Sequence, residues 1–206
     1  LYGILRELIV TDVVEVHDEP DEWGNRLELT VELQADFALN QPLSPFALAA
    51  FELLETDSPT YAVDMVSIIE ATLEAPRQVL TAQLRKIRDE EMARMRADGY
   101  EYTERMNVLD KLTYPQPLAE LLNQQFEIYR QGAPWLAEFE LQPKSVVRDM
   151  YERAMGFGDY VNYYGIARSE GVLLRYLTDA AKALRQTIPQ ELRTEELDLL
   201  QQWLET

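Results

Sequence analysis

Basic side chains at helical spacing are the residues of this chain whose types suit the binding of a polyanion. Arg168, Arg175 and Lys182 follow one another at intervals of seven residues, about two turns of an α-helix, so they should share one helix face. Such a face would present cations to phosphates at roughly 10 Å intervals. The alternative is that these side chains pair with carboxylates such as Glu170 or Asp179 and fix a helical bundle. The apolar residues of the same segment form a separate stripe at Leu173, Leu177 and Leu184.

A second pair of cations stands at the start of another predicted helix. Lys144 and Arg148 are four residues apart, directly after Pro143, which favours a helix start. Free N–H groups at a helix start together with two cations make an adequate phosphate site. Asp149 and Glu152 are close enough in sequence to neutralise both cations, so structural salt bridges are the open alternative.

Aromatic residues are concentrated in the run FGDYVNYYG, between Gly156 and Gly165. Aromatic rings stack on unpaired bases in a sequence-tolerant way, and Tyr160 and Tyr163 are the candidates for this role. Aromatic residues three positions apart also occur commonly in a packed core. The run therefore predicts either a base-stacking surface or part of the core.

The charge of the chain is strongly negative, at -18, and unevenly distributed. Residues 1–57 carry 2 basic and 13 acidic side chains, whereas residues 143–187 carry 7 basic and 5 acidic ones. An acidic surface repels nucleic acid, since phosphate binding depends on Lys and Arg. This distribution is typical of a part that touches RNA at a few points, and equally of an acidic protein with ordinary helix salt bridges.

The sequence lacks the residues that several kinds of catalytic and binding site require. There is no G-x-x-x-x-G-K-[ST] loop and no DEAD-type tetrad, so we expect neither ATP nor Mg²⁺ to be bound by this chain. The chain has no Cys, and its single histidine, His17, is expected at the surface, which leaves no metal site or catalytic triad. Glu70 and Glu74 are spaced for one helix face and are expected to be solvated or paired with Arg.

Targeting signals are also missing from the sequence. No apolar run approaches about 18 residues and no signal peptide is recognisable, so we expect a cytoplasmic protein without a membrane span. The chain opens with Leu1 and enters an apolar pattern at once, which suggests a fragment of a longer polypeptide.

The pattern of the chain predicts a mainly α fold with a small N-terminal β-hairpin. Residues 1–41 should form a short helix and a hairpin, with strands between Ile9 and Gln34, and residues 42–206 a bundle of about eight helices. Ser44 and Ser58, each followed by proline, are expected to cap two of them, and Gly99 to end another. The predicted helices span 45–55, 59–73, 76–98, 103–112, 117–131, 143–155, 166–187 and 189–204.

Several of these segments carry a resemblance to known proteins. Gly171, Leu174, Arg175, Leu177 and the LRQ of residues 184–186 resemble a pattern in the C-terminal helical region of superkiller-type DExH-box RNA helicases. The blocks LQADFALNQPLSPFALAAFELL, SPTYAVDMVSIIEATLEAPRQVL, TYPQPLAELL and PKSVVRDMYERAM are similar to one uncharacterised domain. That domain lies C-terminal to the motor of DEAD/DEAH-box helicases in high-GC Gram-positive bacteria.

The resemblance implies a non-catalytic accessory domain of an ATP-dependent helicase, with ATP and Mg²⁺ bound only by motor domains outside this chain. It implies that the domain packs on the motor and guides single-stranded RNA, with Arg168 or Arg175 on the RNA path. It also implies that residues 1–41 contain the end of a winged-helix module; the alternative, which the acidic charge of this segment favours, is a hairpin that only packs on the bundle. The alternative function is a protein-interaction domain that recruits a nuclease or ribosomal partner through the acidic N-terminal half without touching RNA.

Overall fold

The computed structural model of the chain describes residues 14–17, 19, 26–29 and 43–205. Within these ranges the fold is mainly helical, with nine α-helices and three short 3₁₀ turns. The helices are α1 (Ser44–Phe51), α2 (Tyr61–Thr72), α3 (Arg77–Ala97), α4 (Tyr102–Leu109), α5 (Ala119–Gly132), α6 (Val147–Glu152), α7 (Phe157–Tyr164), α8 (Glu170–Thr187) and α9 (Glu195–Glu205). The 3₁₀ turns are Pro134–Leu136, Ala167–Ser169 and Gln190–Leu192.

Two short strands are the described part of the N-terminal region. Strand β1 (Val14–Val16) pairs antiparallel with β2 (Leu27–Leu29), with Val14 opposite Leu29. Most residues of the predicted hairpin, and the whole predicted helix before it, lie outside the described residues. The complete hairpin and the relation to a winged-helix module therefore stay predictions.

Helix starts and ends follow local signals only in part. Gly99 ends α3 as predicted: its φ is +79°, and the N–H of Tyr100 bonds back to the carbonyl of Met95. The prediction that Ser44 is an N-cap is wrong, because Leu43 holds that position and Ser44 is the buried first residue of α1. Ser58 is not an N-cap either, since α2 begins at Tyr61 after Thr60.

Helix α2 lies at the centre of the bundle, where it contacts α1, α6, α8 and α9. Its sequence is apolar around much of its circumference, as expected for a helix enclosed by others. Most buried apolar residues of the described part, from Leu43 to Leu200, belong to one continuous core; Met95 and Leu109 are buried outside it. Ala133 and Leu136, in the connection between α5 and α6, belong to that core as well.

The apolar stripe of α8 faces this core, as the sequence predicts. Leu173, Leu177 and Leu184 are all buried. Burial of each leucine stabilises the fold by about 1.5–3 kcal/mol, so the stripe fixes the rotation of α8 about its axis. The orientation of the remaining face of α8, which carries the charged residues, follows from this rotation.

Candidate functional site

The solvent face of α8 carries two of the three predicted cations of the helix. Arg175 and Lys182 lie two turns apart and are both exposed. Arg168 is exposed as well, but it lies in the 3₁₀ turn Ala167–Ser169. The helix that the sequence predicts from Ile166 begins as an α-helix only at Glu170. Arg168 therefore does not share the helix face of Arg175 and Lys182.

Arg175 is a highly accessible cation of this face. Its side chain is 80% exposed, and its ion pair is a long one, 3.7 Å from Nε to Oδ2 of Asp179. An exposed pair four residues apart on a helix contributes about 0.3–0.5 kcal/mol. Arg175 also lines a cleft of about 240 Å³ between α8 and the start of α3, together with Glu74, Pro76 and Tyr176. Its guanidinium group is therefore free to turn toward a ligand at little cost.

Lys144 is buried, in contrast, and is 1% exposed. Its Nζ donates hydrogen bonds to the carbonyl oxygens of Leu73, at 2.6 Å, and of Gln142, at 2.9 Å. Burial lowers the pKa of Lys144 to about 8, although the charge of Glu70 opposes this change. As it lies in this structure, Lys144 presents no surface to an RNA strand.

The start of helix α6 is occupied by a side chain from α2. The carboxylate of Glu70 accepts hydrogen bonds from the backbone N–H groups of Val146, at 2.8 Å, Val147, at 3.0 Å, and Arg148, at 3.2 Å. The hydroxyl of Tyr176 donates a fourth, at 2.9 Å. Burial raises the pKa of Glu70, and the four donors favour its charged form and lower it again. The N–H groups that a phosphate would need at this helix start are therefore already bonded within the fold.

The expectation that Glu70 and Glu74 are solvated on one helix face is confirmed for the exposure of Glu74 but is wrong for Glu70 and for the shared face. Glu70 is fully buried and binds backbone N–H groups rather than water or a guanidinium group. Glu74 lies beyond the last residue of α2, Thr72, so the two carboxylates do not share a helix face. The helix ends because Leu73 takes an extended conformation, and its carbonyl oxygen accepts a hydrogen bond from Lys144.

Arg148 is held by ion pairs on both sides. Its guanidinium group donates to Asp64 at 2.6 Å, to the hydroxyl of Ser67 at 3.0 Å and to Glu152 at 2.8 Å. Only 15% of its side chain is exposed. These contacts match the structural alternative for Arg148, a set of salt bridges that fasten α6 to α2.

The aromatic run forms a helix, α7, which lies between two of the predicted helices and was not itself predicted. Tyr160 is fully buried: its hydroxyl donates to Asp149, at 3.1 Å, and accepts from Gln83, at 2.7 Å. Burial, followed by the charge of Asp149, raises its pKa. The ring of Tyr163 lies under two cations, with Lys86 at 4.5 Å and Arg153 at 5.1 Å from its centroid. Tyr160 is thus part of the core, as the core alternative describes, whereas Tyr163 is only partly buried and is held by cations of the fold.

One family model, described as Domain of unknown function (DUF3516), matches residues 2–206. The chain belongs to this family. No curated protein and no solved structure matches the DUF3516 chain significantly.

Metal-binding clusters and membrane-spanning helices are the two other features that bear on the function of the DUF3516 domain. Among its described residues, no three His, Cys, Asp or Glu side chains lie close enough together to hold a metal ion. No helix in the described ranges has the length and hydrophobicity needed to cross a membrane. His17 is exposed, as predicted.

The DUF3516 domain has a second surface that its sequence does not predict. An open groove of about 820 Å³ runs between α8 and α9 and is lined by Leu174, Lys182, Arg185 and Trp203, among others. Leu174 belongs to the quoted sequence pattern, and its exposure follows from the rotation of α8 that buries Leu173 next to it. The wall that Trp203 supplies comes from α9, and helical periodicity alone does not predict which two helices become neighbours.

The buried lysine of the DUF3516 domain makes its stability depend on alkaline pH. The pKa of Lys144 is about 8 in the folded protein and about 10.5 in the unfolded chain, so between these values the unfolded chain binds more protons. Stability should therefore rise by about 2 kcal/mol from pH 8 to pH 10. Above pH 10 the raised tyrosine pKa values oppose the rise. Urea unfolding at several pH values measures this rise in stability, and Lys144→Met should remove it. If stability rose with pH as steeply in that variant, Lys144 would not be the group responsible.

Proposed function

We propose that this chain is a non-catalytic accessory domain of an ATP-dependent RNA helicase, which packs on the motor and guides single-stranded RNA along the solvent face of α8. The observation that carries the proposal is the accessibility of Arg175 and Lys182. Arg175 has only a long, exposed ion pair, and Lys182 forms no ion pair with any described residue. The resemblance of this segment to the helical region of superkiller-type helicases supports the same assignment.

The proposed path is narrower than the sequence predicts. It uses Arg175 and Lys182 on α8 and Arg168 before it, because Lys144, Arg148, Tyr160 and Tyr163 are engaged in contacts within the fold. Two or three cations on a chain of charge -18 give weak binding that falls as salt rises, with a shallow slope because few counterions are released. Weak binding suits a domain that guides a strand held mainly by a motor.

The test is the replacement of Arg175 by alanine. Loss of a charged contact to phosphate should weaken the binding of a labelled single-stranded oligouridylate by about 5- to 30-fold, equivalent to about 1–2 kcal/mol. The slope of the logarithm of affinity against the logarithm of salt concentration should decrease in magnitude by about one. Because the pair with Asp179 is long and exposed, stability should change by less than about 0.5 kcal/mol. Fluorescence anisotropy and thermal unfolding measure the two effects.

Arg96→Ala is the matched control for this test. Arg96 is an exposed arginine near the end of α3, and its replacement changes the net charge by the same amount at another place. If RNA binding depends on a local contact, only Arg175→Ala weakens it strongly. Equal losses in both variants would show a general effect of charge, and no loss in either would remove α8 from the RNA path.

A further inference from the structure

The groove between α8 and α9 is an apolar surface that the fold leaves open. Besides Leu177 and Met150, which belong to the core, its walls include Phe157, Leu174, Trp203 and Leu204. Leu174 is 57% exposed although it stands beside these apolar neighbours. A single exposed leucine is ordinary, but one that forms the wall of an apolar groove of about 820 Å³ belongs to a surface suited to a partner.

The cations of this groove are confined to one end. Lys182 and Arg185 lie one turn apart near the C-terminal end of α8, and they are the only lysine and arginine among the described residues that line the groove. Arg185 has an ion pair with Glu205, at 3.7 Å, whereas Lys182 pairs with no described residue. The groove is therefore apolar along most of its length and has an unneutralised positive charge at one end.

The length of the groove fits a short helix. Leu174 and Arg185 are eleven residues apart on α8, which corresponds to about 16 Å or three helical turns. An amphipathic helix of that length places apolar side chains at positions i, i+3, i+4 and i+7 along such a groove. A carboxylate at its end would meet Lys182.

We propose that the α8–α9 groove binds an amphipathic helix of a partner protein, with apolar side chains between Leu174 and Trp203 and a carboxylate against Lys182. A nucleic-acid strand fits this surface less well, because it brings a phosphate at every nucleotide and the groove offers cations only at one end. No helix of the described part exposes two large apolar side chains three or four positions apart; on α9, for example, Leu199 is exposed but Leu197 and Leu200 are buried. A separate protein is therefore the better source of the helix than a second copy.

The probe is a library of amphipathic helical peptides displayed on phage and selected against the folded chain. Enriched peptides should combine apolar residues at helical spacing with Asp or Glu at one end. Leu174→Glu should weaken the binding of a synthetic enriched peptide at least about 10-fold, because it places a charge in the apolar wall. Leu199→Glu is the matched control, since Leu199 is 55% exposed on α9 and does not line the groove. It should leave binding unchanged.

A charge exchange tests the orientation of the peptide. Lys182→Glu should weaken binding about 10-fold, and replacement of the peptide's acidic residue by lysine should restore affinity to this variant only. Because Leu174 and Lys182 are both exposed, their replacement by Glu should leave the chain folded, and circular dichroism checks this. Arg175→Glu should not affect the peptide, because Arg175 lies two turns from Lys182 and does not line the groove. A failure of the Arg175 test with RNA is thus distinguishable from a failure here.

Four results would overturn the inference. The library yields no enriched helix, or the enriched peptides bind Leu174→Glu as tightly as the natural chain. Alternatively, Leu174→Glu weakens oligouridylate binding as strongly as Arg175→Ala does, which would assign the groove to RNA. Finally, sedimentation shows self-association that Leu174→Glu abolishes, which would assign the groove to a second copy of the chain.

Discussion

Replacement of Glu70 by alanine should lower the free energy of unfolding by about 3–5 kcal/mol, the range seen when one partner of a buried charged network is removed. Four donors lose their acceptor: the N–H groups of Val146, Val147 and Arg148, and the hydroxyl of Tyr176. Val146, at the N-cap of α6, offers no side chain for this task, so α6 depends on Glu70 for its start. Urea unfolding followed by circular dichroism measures the loss.

Two variants show whether the effect belongs to the buried carboxylate. Glu70→Gln keeps the size of the side chain but turns an amide NH₂ or an uncharged oxygen toward the four donors, so it should lose a large part of the same stability. Glu74→Ala removes an exposed carboxylate four residues further along and should change stability by less than about 0.5 kcal/mol. Similar small losses for Glu70→Ala and Glu74→Ala would contradict the role of Glu70.

The role of Glu70 shows a limit of sequence reasoning for this fold. Glutamate in a helix is usually solvated, and the three N–H groups that Glu70 binds belong to residues 76 to 78 positions further along the chain. No local pattern connects α2 with the start of α6. The same holds for Lys144, because its acceptors include the carbonyl of Leu73, 71 positions away. Lys144 and Arg148, which the sequence pattern assigns to a phosphate site, instead join separate segments of the fold.

The helices themselves were largely predictable. Apolar spacing placed Leu173, Leu177 and Leu184 in the core, and the geometry of the helix then exposed Arg175 and Lys182. Helix α7 was missed because it has only eight residues between two glycines, and its aromatic side chains suit a loop or a core equally. The groove beside Leu174 was missed for another reason: it exists only where α9 packs next to α8.

Replacement of Asp149 by alanine should be the other large loss, about 2–4 kcal/mol, since a largely buried carboxylate accepts three hydrogen bonds. Its donors are Arg153, at 2.7 Å, Tyr160, at 3.1 Å, and Tyr164, at 2.6 Å. The tyrosines belong to α7 and Asp149 to α6, so the network holds these two helices together. Through Gln83, which donates to Tyr160, it also reaches α3.

A double-mutant cycle separates this network from simple burial. Asp149→Ala, Tyr164→Phe and their combination should give a coupling energy of about 1 kcal/mol or more, because each single change already breaks the 2.6 Å hydrogen bond between them. Tyr61→Phe is the control, since the hydroxyl of Tyr61 donates to the carbonyl of Leu192 and contacts neither Asp149 nor its partners; its coupling should be near zero. Additive losses for Asp149 and Tyr164 would contradict the network. Because Met150 and Phe157 line the α8–α9 groove, looser packing of α6 and α7 should also weaken the peptide affinity of the folded Asp149 variant.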